Sequence, residues 1–171
     1  MKVVAFAGRP GSGKTTTAAA LFAALTGGHP HEGRQDVVGG VAVQRCLCGA
    51  IMLLGRWDAG LMLRGGDKVG REEAIRPVLG DQTARLLISD SIHHARFLTS
   101  AARAFLVHLD PSEPERAKRL VQRGSRSSSH RNDGVWRGHS DLRCSFQFPE
   151  EVAFMVRLKA RLRDCNCMRA K

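Results

Sequence analysis

The residues best equipped for chemistry lie near the start of the chain. Gly8-Arg9-Pro10-Gly11-Ser12-Gly13-Lys14-Thr15 follows the spacing G-x-x-x-x-G-K-[ST] at every fixed position. Glycines let a backbone curl until its N–H groups converge, and such a concavity suits phosphate oxygens. Lys14 adds a charge that reaches β- and γ-phosphates, and the Thr15 hydroxyl is a ligand for Mg²⁺. The chemistry implied is the holding of ATP and Mg²⁺. Gly8, Arg9, Pro10, Gly11, Ser12, Gly13, Lys14, Thr15 and Thr16 form the expected phosphate cradle.

Such a loop works only between a strand and a helix, and the flanks read that way. Residues 2–7 are an apolar run suited to a buried strand. Residues 14–25 are dense in Ala and Leu, with Ala20, Leu21, Ala24 and Leu25 on one helical face, and Gly27 and Gly28 stop the helix. Residues 28–40 read as a loop. Residues 41–43 and 50–54 read as short strands, 55–69 as a glycine-rich segment, and 71–76 as a short helix before Pro77. Residues 85–89 form a third clear strand closed by Asp90. A helix follows over 92–102, then a strand over 104–109 closed by Asp110 and Pro111. Residues 114–123 read as a helix with proline in its first turn. Residues 123–143 read as a mobile lid rich in Arg, Ser and Gly. Residues 149–164 read as a last amphipathic helix, with Glu150 and Glu151 at its start and Arg161 and Arg163 near its end. Alternating strands and helices imply an α/β fold, with a parallel sheet flanked by helices in three layers, as one domain over residues 1–171.

Two acids end apolar strands. Asp90 is the expected second magnesium ligand with Thr15, and it also suits the cap of the next helix. Asp110, followed by Pro111 and Ser112, reads as a turn residue. The chain carries 27 Lys and Arg against 16 Asp and Glu, a formal net charge of +11. That balance attracts polyanions, so nucleic acid is an expected partner. No stretch is long enough to span a bilayer. The five cysteines are an odd number, which argues against a complete disulfide framework and for a reduced, cytoplasmic protein. Cys46-Leu47-Cys48 and Cys165-Asn166-Cys167 have C-x-C spacing rather than the C-x₂₋₄-C usual in zinc sites, and Cys46 and Cys48 could share one face of a strand. His93 and His94 follow no ligand pattern and read as surface or helix residues, although His94 could sit near Asp90 and touch substrate.

The run from Phe105 to Gly124, Phe-Leu-Val-His-Leu-Asp-Pro-Ser-Glu-Pro-Glu-Arg-Ala-Lys-Arg-Leu-Val-Gln-Arg-Gly, resembles the late strand and lid helix of the P-loop nucleoside and nucleotide kinase superfamily. Ala117, Leu120 and Val121 would form one stripe of that helix, and Arg116, Arg119 and Arg123 the opposite one. Leu53-Leu54-Gly55-Arg56-Trp57-Asp58-Ala59-Gly60 and Gly65-Gly66-Asp67-Lys68 resemble a segment of small phage-type kinases, thymidylate-kinase-like or acting on 5-hydroxymethyluracil in DNA.

The resemblance implies a P-loop NTPase fold and a kinase that moves the γ-phosphoryl group of ATP to a hydroxyl, in host cytoplasm if phage-encoded. Lys14, Arg119, Arg123 and Arg126 would neutralise the transferring group, and Asp58 would orient the acceptor and take its proton. Asp67 and Lys68 would bind the acceptor, and Trp57 would stack on a base. Residues 28–40 lack the helix pair that grips a nucleoside monophosphate, which makes a larger acceptor such as DNA more attractive. The rival expectations are a small-metabolite kinase of the same fold and a nucleotide-dependent ATPase or switch.

Overall fold

The computed structural model describes residues 1–57, 64–65, 72–122, 138–145 and 148–169. Burial along the first strand, β1 (Lys2–Ala7), sets the architecture. Val4 and Phe6 belong to one apolar cluster, and Val3, Ala5 and Ala7 to another. Successive side chains of a strand point to opposite faces, so both faces of this strand are covered.

The helix α1 (Lys14–Thr26) follows, then a 3-10 turn (Pro30–Glu32) and an antiparallel hairpin, β2 (Arg34–Val38) and β3 (Val41–Arg45). Next come β4 (Ile51–Arg56), the two-residue β5 (Arg64–Gly65), α2 (Glu72–Leu79), β6 (Leu86–Ser89) and α3 (Ile92–Ala102). The chain continues through β7 (Phe105–Leu109), α4 (Glu113–Gln122), β8 (Leu142–Cys144) and α5 (Pro149–Lys159). The sheet order is β2-β3-β4-β6-β1-β7-β8, with β5 paired to the end of β4. Strands β4, β6, β1, β7 and β8 run parallel to one another, and the β2–β3 hairpin extends the β4 edge antiparallel.

Helices cover both faces. Leu21, Phe22 and Leu25 of α1 and Val152, Ala153 and Val156 of α5 pack on the face of Phe6, Leu53 and Ile88. Ile75 and Val78 of α2 and Ala95 and Leu98 of α3 pack on the face of Ala5, Met52 and Leu87. At about 1.5–3 kcal/mol for each large side chain buried, these two clusters are the main favourable term for the fold.

Several local expectations are corrected. Residues 28–40 hold β2, an edge strand whose exposed positions hide its pairing from a hydropathy reading. The inner face of α1 runs through Ala18, Leu21, Phe22 and Leu25, whereas Ala24 is exposed. Helix α2 continues through Pro77 instead of ending before it, because burial of Ile75 and Val78 outweighs one lost backbone hydrogen bond. Helix α5 stops at Lys159, so Arg157 and Lys159 hold its last turn and Arg161 and Arg163 lie beyond it. The three-residue β8 sits inside what reads as an Arg-rich loop, and Leu142 and Cys144 are its buried positions.

The largest correction concerns α4. Ala117 and Val121, the presumed inner stripe, are exposed, Val121 at 77%. Arg116, on the presumed outer stripe, is 6% exposed. The helix turns its arginines inward because polar backbone awaits them there.

Candidate functional site

The polar backbone is that of residues 8–13, which join β1 to α1. Gly11 and Gly13 have φ of 81° and 93°, in the left-handed region that a side chain disfavours. Space demands glycine as well. A Cβ at Gly11 would lie 3.0 Å from Arg116 O and from Leu120 Cγ, and one at Gly13 would lie 3.1 Å from Arg119 Nη1. The two glycines therefore let α4 lie directly on the loop.

Arginines fix that contact. Arg116 Nη1 donates to Pro10 O at 3.3 Å, and Arg116 also pairs with Glu113. Glu113 in turn meets Arg9 Nη1 at 3.2 Å. Arg119 Nη1 donates to Ser12 O at 3.4 Å, while its Nε donates to Glu115 at 2.9 Å. Lys14 also bonds the loop. Its Nζ donates to Gly8 O at 2.8 Å and to Arg9 O at 3.3 Å, and the residue is 9% exposed. Three cations, Lys14, Arg116 and Arg119, thus meet on one glycine loop at the start of a 13-residue helix, where the backbone dipole adds positive potential.

Asp90 ends β6, and Ala5 of β1 pairs with Ser89 immediately before it. The glycine loop and Asp90 therefore leave neighbouring parallel strands at the same end of the sheet. Asp90 is 1% exposed. Ser12 Oγ, Ser89 Oγ and Ser91 Oγ are buried and have no hydrogen-bond partner among the described residues, an excess of polar atoms at this end of the sheet. Thr15, half-buried, and Thr16, exposed, follow in the first turn of α1.

The next strand end is occupied differently. Asp110 accepts from Arg143 Nη2 at 2.5 Å, and that guanidinium holds its carboxyl below the usual carboxylate range. His108 pairs with Ala7 across β7 and β1, and burial pushes its imidazole below the ordinary value despite the Asp110 charge. His94 lies on α3 and is 3% exposed, so of its two readings the helix position stands and the surface one does not.

Trp57 is 3% exposed in the core, with its indole N–H donating to Leu54 O at 3.3 Å. In this arrangement it offers no open face to a base, and that expectation is corrected to a core role. Asp58, Asp67, Lys68, Arg123 and Arg126 lie outside the described residues. Arg9 and Arg116 clamp α4 to the loop through Glu113 and Pro10 O, a part the sequence does not show, since it places Arg9 in the phosphate cradle and Arg116 only on the basic stripe of α4.

Comparison with protein families, with curated proteins and with solved structures finds no match to this chain.

Proposed function

We propose that the chain is a P-loop phosphotransferase. In the more particular form of this reading, it transfers the γ-phosphoryl group of ATP to a hydroxyl on a nucleotide or on a hydroxymethyl pyrimidine in DNA. The observation that carries it is the convergence of Lys14 and Arg119 on the glycine loop at the head of α1, with Asp90 beside it on the neighbouring strand.

Lys14 Nζ is held by the Gly8 and Arg9 carbonyls. Those carbonyls release it to the β- and γ-phosphates, which are stronger acceptors because they are charged. Arg119 lies over Gly13 and neutralises charge spread over the transferring group. Ser12, at the heart of the loop, adds a buried hydroxyl with no hydrogen-bond partner among the described residues. Thr15 and Asp90 together offer one hydroxyl and one carboxylate, a donor set that fits a magnesium ion keeping several of its waters. Magnesium bound there would neutralise phosphate oxygens. Asp58 orients the acceptor hydroxyl and accepts its proton, a role carried by the resemblance alone. The acceptor class rests on the net charge of +11, which favours a polyanion.

The test incubates the chain and its Lys14→Ala variant with γ-labelled ATP, Mg²⁺ and three acceptors: nucleosides, nucleoside monophosphates, and DNA with or without hydroxymethyl pyrimidines. Label on DNA or on a nucleotide, lost in the variant, supports the reading. Labelled free phosphate alone, whatever the acceptor, overturns the kinase and leaves an ATPase or switch.

A further inference from the structure

Far along the sequence from the glycine loop, four of the five cysteines meet. The Sγ atoms of Cys46, Cys48, Cys165 and Cys167 all lie within 4.8 Å of one another. Cys46 and Cys48 sulfurs are 3.5 Å apart, Cys165 and Cys167 sulfurs 3.5 Å, and Cys46 and Cys165 sulfurs 3.8 Å. A disulfide needs about 2.05 Å, so these are free thiols at non-bonded separation. A regular tetrahedron of sulfurs at about 2.3 Å from a zinc ion has edges of about 3.8 Å. From this geometry we infer that the four cysteines form a tetrathiolate site for one zinc ion.

The local backbone is shaped for the purpose. Cys46 and Cys48 lie in the turn after β3, not on its face, because β3 ends at Arg45. Gly49, with φ of 78°, closes that turn through its N–H bond to Cys46 O at 2.9 Å. In the other pair Asn166 takes a left-handed φ of 48° between the two cysteines, a conformation that asparagine tolerates better than most residues. Backbone N–H groups already point at sulfur: Ile51 N–H donates to Cys46 Sγ at 3.3 Å, and Cys48 N–H to Cys167 Sγ at 3.4 Å. Donors of this kind stabilise a metal-bound thiolate and orient it.

Both halves are anchored independently of any ion. Cys165 N–H donates to Leu25 O at 2.8 Å, and Met168 N–H to Thr26 O at 2.9 Å, so the C-terminal segment caps the end of α1. Arg45, 3% exposed, donates to Asp36 at 2.8 Å, to Thr83 at 3.2 Å and to Gly49 O at 3.4 Å, and pairs with Asp81. That network fixes the Cys46–Cys48 turn from below. All four donors come from the protein and no coordination position is left for substrate, so the site is structural. It ties the β3–β4 turn to the C-terminal segment, and both to the last turn of α1. This inference is independent of the proposed kinase activity.

The experiment is elemental analysis of the full chain, expressed with zinc in the medium and purified without chelator, followed by cobalt replacement. The expected results are one zinc per chain and, with cobalt, the intense red-region bands of a tetrahedral thiolate. Cys48→Ser and Cys167→Ser alter one exposed and one partly buried donor and should each lose the metal, while Cys144→Ser retains it. If a serine variant does not fold, the wild-type chain still decides the matter: a mercurial reagent should release one zinc as four thiols are titrated. Absence of zinc with all thiols free, two disulfides instead of metal, or iron in place of zinc would each overturn the inference.

Discussion

The two ends of α1 meet two different kinds of site. At its first turn, residues 8–15 are contiguous, and a local spacing rule is enough to suggest phosphate chemistry. At its last turn, Leu25 and Thr26 carbonyls receive a cysteine-bearing segment from the far end of the chain. The paired cysteines there are 119 residues apart, and only the fold brings them together. Thirteen residues at about 1.5 Å each separate the two by roughly 20 Å. A ligand site written in one stretch is visible in sequence, whereas one assembled from two distant pairs is not, since each C-x-C pair alone falls short of the usual zinc spacing.

If the ends have separate roles, substitutions at each should move different observables. Lys14→Ala should have the largest effect, cutting phosphoryl transfer about a hundredfold or more, while the melting temperature falls by only a few degrees as the Gly8 and Arg9 carbonyls lose their donor. Steady-state kinetics beside a thermal melt checks both halves of that statement. Stripping the metal with a chelator should do the reverse. The melting temperature falls by about 10 °C, as a loss of a few kcal/mol would give, and ATP affinity at matched low temperature is little changed. Equal loss of both observables in either experiment would mean that the two ends are one functional unit.

A third effect lies beneath the cysteine turn. The Arg45 guanidinium beside Asp81 holds that carboxyl well below the usual carboxylate range. The unfolded chain therefore takes up this proton at a higher pH than the folded chain. The stabilisation is complete above about pH 4 and is lost as pH falls from there toward the folded value. Asp81→Asn should lower stability near neutral pH by about 1–3 kcal/mol and flatten the acid limb, read by denaturant titrations of the metal-free chain across pH. Asp36 still pairs with Arg45, which limits the loss.

A smaller effect belongs to the loop. Gly11→Ala forces a side chain to φ of 81° and against Arg116 O, and should cost about 1–2 kcal/mol while weakening ATP binding. Val121→Ala, at an exposed position of α4, should stay within about 0.5 kcal/mol of wild type. A large loss there would mean that the apolar stripe of α4, not its arginines, is the buried face.

Most of the layer order was legible. The strand at residues 2–7, the helix from Lys14 and the strands ending at Ser89 and Leu109 all announce themselves, because buried parallel strands are continuous apolar runs. The polarity of α4 was not legible. Amphipathicity points apolar residues inward by default, and only the carbonyls of Pro10 and Ser12 make arginine the better inner residue. Strand β2 escaped because an edge strand with exposed positions has no apolar signature. Trp57 shows the opposite failure: an aromatic beside a glycine-rich segment reads as a stacking face, whereas neighbouring core residues claim it.

Equilibrium binding of ATP with Mg²⁺ to the wild-type chain and to Lys14→Ala, with circular dichroism confirming that both are folded, tests the glycine-loop assignment most directly. Loss of one charge-assisted contact of about 1.5–3 kcal/mol predicts an affinity roughly 10- to 100-fold weaker in the variant. No binding by the folded wild-type chain, or equal binding by the two, would contradict the assignment of residues 8–15 as the phosphate site.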